Sequence, residues 1–451
     1  MSKQLILILT VAAVLVFKTG KLSAGGETGM IQATTLQGMQ SSRAGQTTVT
    51  GSPLSAPQAS LSELLEEALR INPEIRAAQK KYEGSRLRPP IASSLPDPVL
   101  SFISNNIENP IPATTLGKFD MSLAGFSFMQ EIPFPGKLNL QGKMAEKEAD
   151  SEWNAYQATR LQIVSQLKQA FYRWYFVHKA LDVLKRNTDL LSQFSKIAAA
   201  RYEVGQGIQQ DVLRAQTELS LLERRRLELE QERDALVARM NTLLNKPPDS
   251  PLGVPADYSK SELSVSLSEL YQAVETHSPR LGQNQAKVEQ NTFALNLARK
   301  DYYPDFAVEA GWASRGRLAN MWMTRVNVRL PLYFWRKQRY AVRESAQAVE
   351  QARHEYDAAK QSLLFHVKDD YLAAKTSEQL LDLYSKTLMP QATLTLESAM
   401  TSYQAGKLDF LSLVTNFQSV LGYEMEYYEQ FARFHEALAR LEETTGRQLV
   451  H

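Results

Sequence analysis

Residues 304–331 read PDFAVEAGWASRGRLANMWMTRVNVRLP. In 304–313, Phe306, Val308, Ala310 and Trp312 alternate with Ala307, Glu309, Gly311 and Ala313. In 321–331, Trp322, Val326, Val328 and Leu330 alternate with Met323, Arg325, Asn327 and Arg329. A period of two places successive side chains on opposite faces of a strand. One face is then apolar and aromatic, and the other carries Glu309, Arg325, Asn327 and Arg329. Each run is close to the roughly 9–11 residues that cross a bilayer as a tilted strand, apolar outside and wet inside. A soluble hairpin alternates in the same way, so the surroundings decide.

Those surroundings occur twice. The hairpin has a rougher counterpart in Leu100 and Phe102 of 97–107 and in Ala124, Phe126 and Phe128 of 120–132. SLSE at 60–63 returns at 266–269, Asn72-Pro73 as Ser278-Pro279, and Pro96-Asp97 as Pro304-Asp305. Ile132-Pro133 returns as Leu330-Pro331, YEVG at 202–205 as YQAG at 403–406, and Ala238-Arg239 as Ala439-Arg440. Solenoid modules recur every roughly 20–50 residues, so an echo about 200 residues away is a duplicated helix–hairpin–helix unit. The copies span 61–245 and 267–446, with a linker at 246–266.

The flanking segments read as very long helices. From Gly136 to about Gln206 there is no proline. Ile163, Leu167, Ala170, Trp174, Val177, Leu181, Leu184, Leu191, Ala198 and Tyr202 step by threes and fours, the seam of coiled-coil packing. A helix over 136–204 reaches on the order of 100 Å at about 1.5 Å per residue. The second copy repeats it over 335–404, with Pro390 predicting a bend near Leu388–Met389. Gly205 and Gly406 suit left-handed caps, and return helices follow over 209–245 and 409–446. Short connections make each pair an antiparallel hairpin. Shorter helices at 73–95 and 279–302, each stacked on a return helix, match a long helix in length.

The chain has 451 residues, 22% charged and 43% hydrophobic, with a net charge of +2 and no cysteine. That balance gives no reason to expect a nucleic-acid partner, and the fold must hold without disulfides. Lys3 followed by the apolar run 5–17 reads as a secretory signal cleaved after Ala24, with 25–60 a flexible lead-in. Thirteen apolar residues are too few for a membrane helix. No catalytic constellation is expected, so the chain is not read as an enzyme and needs no cofactor. His178, His277, His354, His366, His435 and His451 lack metal-ligand spacing, and Met321 with Met323 is not read as a thioether site.

Strands exported to a membrane carry a further demand. An open sheet edge in hydrocarbon leaves backbone groups unpaired, so only closed barrels survive. Four strands per chain are too few, since the smallest membrane barrels have about eight. Copies must therefore share one barrel: two give eight strands and a packed interior, three give twelve and a lumen.

The chain resembles the TolC-like outer-membrane efflux family. The resemblance rests on LLEEALRINP at 64–73, the Pro-Asp strand starts and YEVG at 202–205 with DVLRAQ at 211–216. It rests also on LMP at 388–390 leading to YQAGKLDF at 403–410. It implies a mainly α fold with membrane β: a homotrimeric twelve-stranded outer-membrane barrel continuous with a long periplasmic helical barrel. Phe126, Phe128, Phe306, Trp312 and Trp322 would face lipid, and Glu309, Arg325, Asn327 and Arg329 the lumen. Such proteins are passive exit ducts for small solutes, heavy-metal cations or drugs in tripartite pumps. They work with a periplasmic adaptor (a membrane fusion protein) and an inner-membrane RND-type or ABC transporter. QEIPFPGK at 130–137 is most similar to the cation-efflux branch.

The resemblance also maps a gate to the hairpin tips around Gly205 and Gly406. Asp211 and Tyr403 are its matching pair, a phenol donating to a carboxylate, with Tyr202 nearby. Positions that often carry an aspartate ring hold Ser412 and Thr415, with Asp409 one turn earlier. A duct for type I protein secretion and a periplasmic coiled-coil scaffold without membrane strands are the alternatives.

Overall fold

The computed structural model describes residues 58–258 and 263–449. The expected signal at 1–24 and most of the lead-in lie outside these residues. The first copy opens with β1 (Gln58–Ala59), α1 (Leu61–Ile71), α2 (Pro73–Ser85) and α3 (Arg88–Ser93). Then come β2 (Val99–Asn105), β3 (Leu123–Ile132), α4 (Lys137–Glu203) and α5 (Gln209–Leu243). After β4 (Val254–Pro255), the second copy contributes α6 (Leu267–His277), α7 (Pro279–Lys300), β5 (Asp305–Arg315) and β6 (Leu318–Arg329). It closes with α8 (Gln338–Leu383), a π turn (Tyr384–Leu388), α9 (Met389–Gln404) and α10 (Phe410–Thr445).

Several boundaries differ from those the sequence predicts. The helix expected over 73–95 is broken after Ser85, because Pro89 and Pro90 lack donors and crowd the preceding turn. The helix expected from 335 begins at Gln338, after a turn in which Lys337 N–H donates to the Tyr333 carbonyl at 2.9 Å. The irregularity expected at Leu388–Met389 is a π turn just before Pro390, which widens the helix where proline removes a donor. The second hairpin pairs further toward its turn than 304–313 and 321–331, meeting at Gly316 with φ +72°. The linker and lead-in are not wholly irregular: β1 pairs in parallel with β4.

The first long helix is the spine. Its Ile163, Leu167, Phe171, Trp174, Phe176, Leu191 and Phe194 are essentially fully buried. They pack in one cluster with Phe410, Phe417, Phe434 and Leu438 of α10, Leu229 and Met240 of α5, and Leu270 of α6. Each such side chain contributes about 1.5–3 kcal/mol by leaving water. At the other end, the four longer strands form one antiparallel sheet in the order β2-β3-β5-β6. Its two outer edges, on β2 and β6, have no strand partner among the described residues. No described helix is long and apolar enough to cross a membrane, which says nothing of a barrel.

Candidate functional site

The register of the sheet sorts its residues. Phe102 pairs with Phe126, Phe126 with Trp312, and Trp312 with Trp322, so one aromatic row crosses all four strands. Phe128 and Phe306 lie on the same face, as do Leu100, Val308, Val326 and Val328. Trp322 is 80% exposed and Phe126 55%, an arrangement that leaves large apolar side chains outside any core of the chain. The opposite face carries Glu309 paired with Arg325 at 3.1 Å and Arg329 paired with Glu131 at 3.1 Å. Asn327 stands there opposite Ala307. Small residues let β3 and β5 approach. A Cβ on Gly125 would lie 2.0 Å from the Trp312 carbonyl oxygen.

Where strands meet helices, the two copies are clamped together. Lys137 is buried and reaches Asp301 and Asp305, each at 3.0 Å. The Phe134 N–H donates to Asp305 Oδ1 at 2.8 Å, and the Phe134 ring stacks on Tyr303 at 4.4 Å. Sequence pattern marked Asp305 as a strand start only; its partners lie far along the chain.

The far ends of the long helices form the second candidate region. Gly205 (φ +74°) and Gly406 (φ +72°) each close a left-handed cap. Gln206 N–H returns to the Arg201 carbonyl at 2.8 Å, and Lys407 N–H to the Ser402 carbonyl at 2.9 Å. Both tips therefore end in the same Schellman pattern. Across them, Arg201 lies over the Tyr403 ring at 4.8 Å and donates to the Tyr403 carbonyl. Tyr403 is 3% exposed and packs on Phe410 at 5.5 Å.

Asp211 and Tyr403 are brought close enough to interact through their charges. Among the described residues no hydrogen bond joins the Tyr403 hydroxyl to Asp211. Burial raises the Tyr403 phenol, the Asp211 charge adds to this, and Arg201 opposes it. Asp211 is itself raised, first by burial and then by Asp409, again opposed by Arg201. Asp409 caps α10, accepting from Ser412 N–H at 3.0 Å and Ser412 Oγ at 2.7 Å, and those bonds hold its carboxyl below the usual range. Thr415 donates to the Leu411 carbonyl, and Tyr202 is exposed. Arg201 is the member of this cluster that the sequence did not point to. Its one signal was a cation one turn before the cap.

A four-stranded sheet whose outer edges lack a strand partner among the described residues, with an aromatic face and joined to paired helices of this length, fits the class of channel-forming outer-membrane proteins. The chain belongs to the outer membrane efflux protein family, whose model matches residues 64–246 and 270–447. It is 22% identical over 395 residues to the cobalt-zinc-cadmium resistance protein CzcC of Cupriavidus metallidurans, covering 85% of this chain and 90% of that one. Its fold is similar to the outer-membrane channel OprN, with a TM-score of 0.73 at 15% identity over 86% of this chain and 89% of that one. It is similar also to the open state of the Neisseria gonorrhoeae MtrE outer membrane channel, at 0.72 and 17%, covering 88% and 90%. The protein is thus an outer-membrane efflux protein.

Proposed function

We propose that three copies close one twelve-stranded barrel and form the exit duct of a tripartite pump for divalent metal cations. The carrying observation is that the edges on β2 and β6 have no strand partner among the described residues, a state hydrocarbon does not tolerate. The face bearing Phe126, Phe128, Phe306, Trp312 and Trp322 meets lipid, and Glu309, Arg325, Asn327 and Arg329 line the lumen. A periplasmic adaptor and an inner-membrane transporter supply the energy. Similarity to CzcC supports metal cations as cargo.

Arg201, Asp211 and Tyr403 hold the periplasmic tips together, and releasing them widens the duct. Two measurements test the proposal. Deleting the gene is expected to sensitise cells to cobalt, zinc and cadmium; unchanged tolerance to all three removes metal cations as cargo. In planar bilayers, Asp211→Ala and Arg201→Ala are expected to raise single-channel conductance, the second by removing the cation that covers the Tyr403 ring and binds its carbonyl. Equal conductance in both takes these residues out of the gate.

A further inference from the structure

We propose that residues 333–343 form a collar that binds phosphate headgroups of anionic phospholipid in the periplasmic leaflet of the membrane. This rests on the outer-membrane placement of the sheet, not on the gate or the cargo. The segment begins where the outward apolar face of β6 ends, and reads YFWRKQRYAVR. Arg336, Lys337, Arg339 and Arg343 are all exposed, and 330–343 contains no Asp or Glu. Among the described residues none of the four has an ion-pair partner. Among those residues, the one interaction the four side chains make is Arg343 over the Tyr340 ring at 5.8 Å.

Aromatic rings are interleaved with these cations. Tyr333, Phe334, Trp335 and Tyr340 are each at least half exposed, and Phe334 packs edge-on to Trp335 at 5.1 Å. Amphipathic rings beside cations suit the depth at which acyl chains give way to headgroups. Clustered cations beside a membrane segment attract anionic headgroups within a Debye length. The duplication supplies an internal comparison. The matching stretch of the first copy has only Lys137 and Lys143 between 133 and 145. Lys137 is buried against Asp301 and Asp305, and Lys143 lies over the Phe293 ring at 5.7 Å. The collar therefore belongs to the second copy alone, which marks one patch per chain.

Reconstituting the full chain in neutral phosphatidylcholine vesicles, or in vesicles with about one-third phosphatidylglycerol, tests this. The anionic vesicles are expected to raise the unfolding temperature by about 3–5 °C, and about 0.5 M salt to abolish the rise. The variant R336Q/K337Q/R339Q/R343Q is expected to lose it. Equal temperatures for the unaltered protein in both vesicles, or a rise that survives in the variant, overturn the proposal. So does an equal rise from inorganic phosphate in detergent, which makes the patch a free-anion site. If the fourfold variant does not assemble, R336Q/K337Q and R339Q/R343Q carry the comparison, each losing about half the rise. Failure of both pairs to assemble makes the cations a subunit contact and also overturns it.

Discussion

His435 sits where a charge is least welcome. It is 3% exposed, stacked on Tyr172 at 4.2 Å and flanked by Phe431 and Phe434, and its Nε2 has no hydrogen-bond partner among the described residues. Burial, with the nearby Lys168 ammonium, pushes its pKa down to about 4. A base depressed in the fold binds protons more readily once unfolded. Its contribution is therefore intact above about pH 6.5 and is lost as pH falls toward about 4. The difference is worth about 3 kcal/mol. His435→Phe is expected to flatten the fall in unfolding temperature across that window; an unchanged slope assigns the fall to other groups. No periodicity distinguishes such a histidine from a surface one. Its burial was not legible in the sequence, because the rings that desolvate it come from two helices. Arg201 was hidden for the same reason, because its partner Tyr403 lies in the other copy.

At the scale of elements, the long helices and their ends were readable because each depends on local chemistry. An absence of proline permits the spine, and a glycine with positive φ stops it. Gly205 has open space where a methyl group would stand, so Gly205→Ala costs only the left-handed strain of about 1 kcal/mol. Gly406 differs. A Cβ there lies 3.3 Å from the Arg201 guanidinium, so Gly406→Ala adds pressure on the clip between the tips. Both variants are expected to speed amide hydrogen exchange in the turns they cap, and only Gly406→Ala to raise conductance as well. Equal conductance effects remove Arg201 from the explanation. The broken helix at Pro89 and the π turn before Pro390 were only partly readable. Proline marks a disturbance but does not say how the backbone absorbs it.

For the whole molecule, alternation and duplication together revealed the sheet and the paired hairpins. The clamp between the two copies at the strand–helix boundary was not visible, because Lys137 and Asp305 come from different copies. Lys137→Met strands Asp301 and Asp305 without their cation at the strand–helix boundary. Removing one partner from such a pair costs about 1–3 kcal/mol where the carboxylates keep some water. Circular dichroism melting is expected to show a lower unfolding temperature, with the low-salt protein affected most. An unchanged melt makes the cluster dispensable to joining the copies.

The aromatic row through Phe102, Phe126, Trp312 and Trp322 has a second band facing it, built from Tyr302, Tyr303, Tyr333, Phe334 and Trp335. About nine strand residues run from Tyr303 to Trp312, and the tilt of strands in the proposed barrel would separate the bands by roughly 25 Å of height. In the proposed barrel such a spacing would work as a load line, setting how deep the protein floats. The 67-residue α4 is then metered from that waterline. Inserting one helical turn would lower its far end by about 5 Å without moving the float.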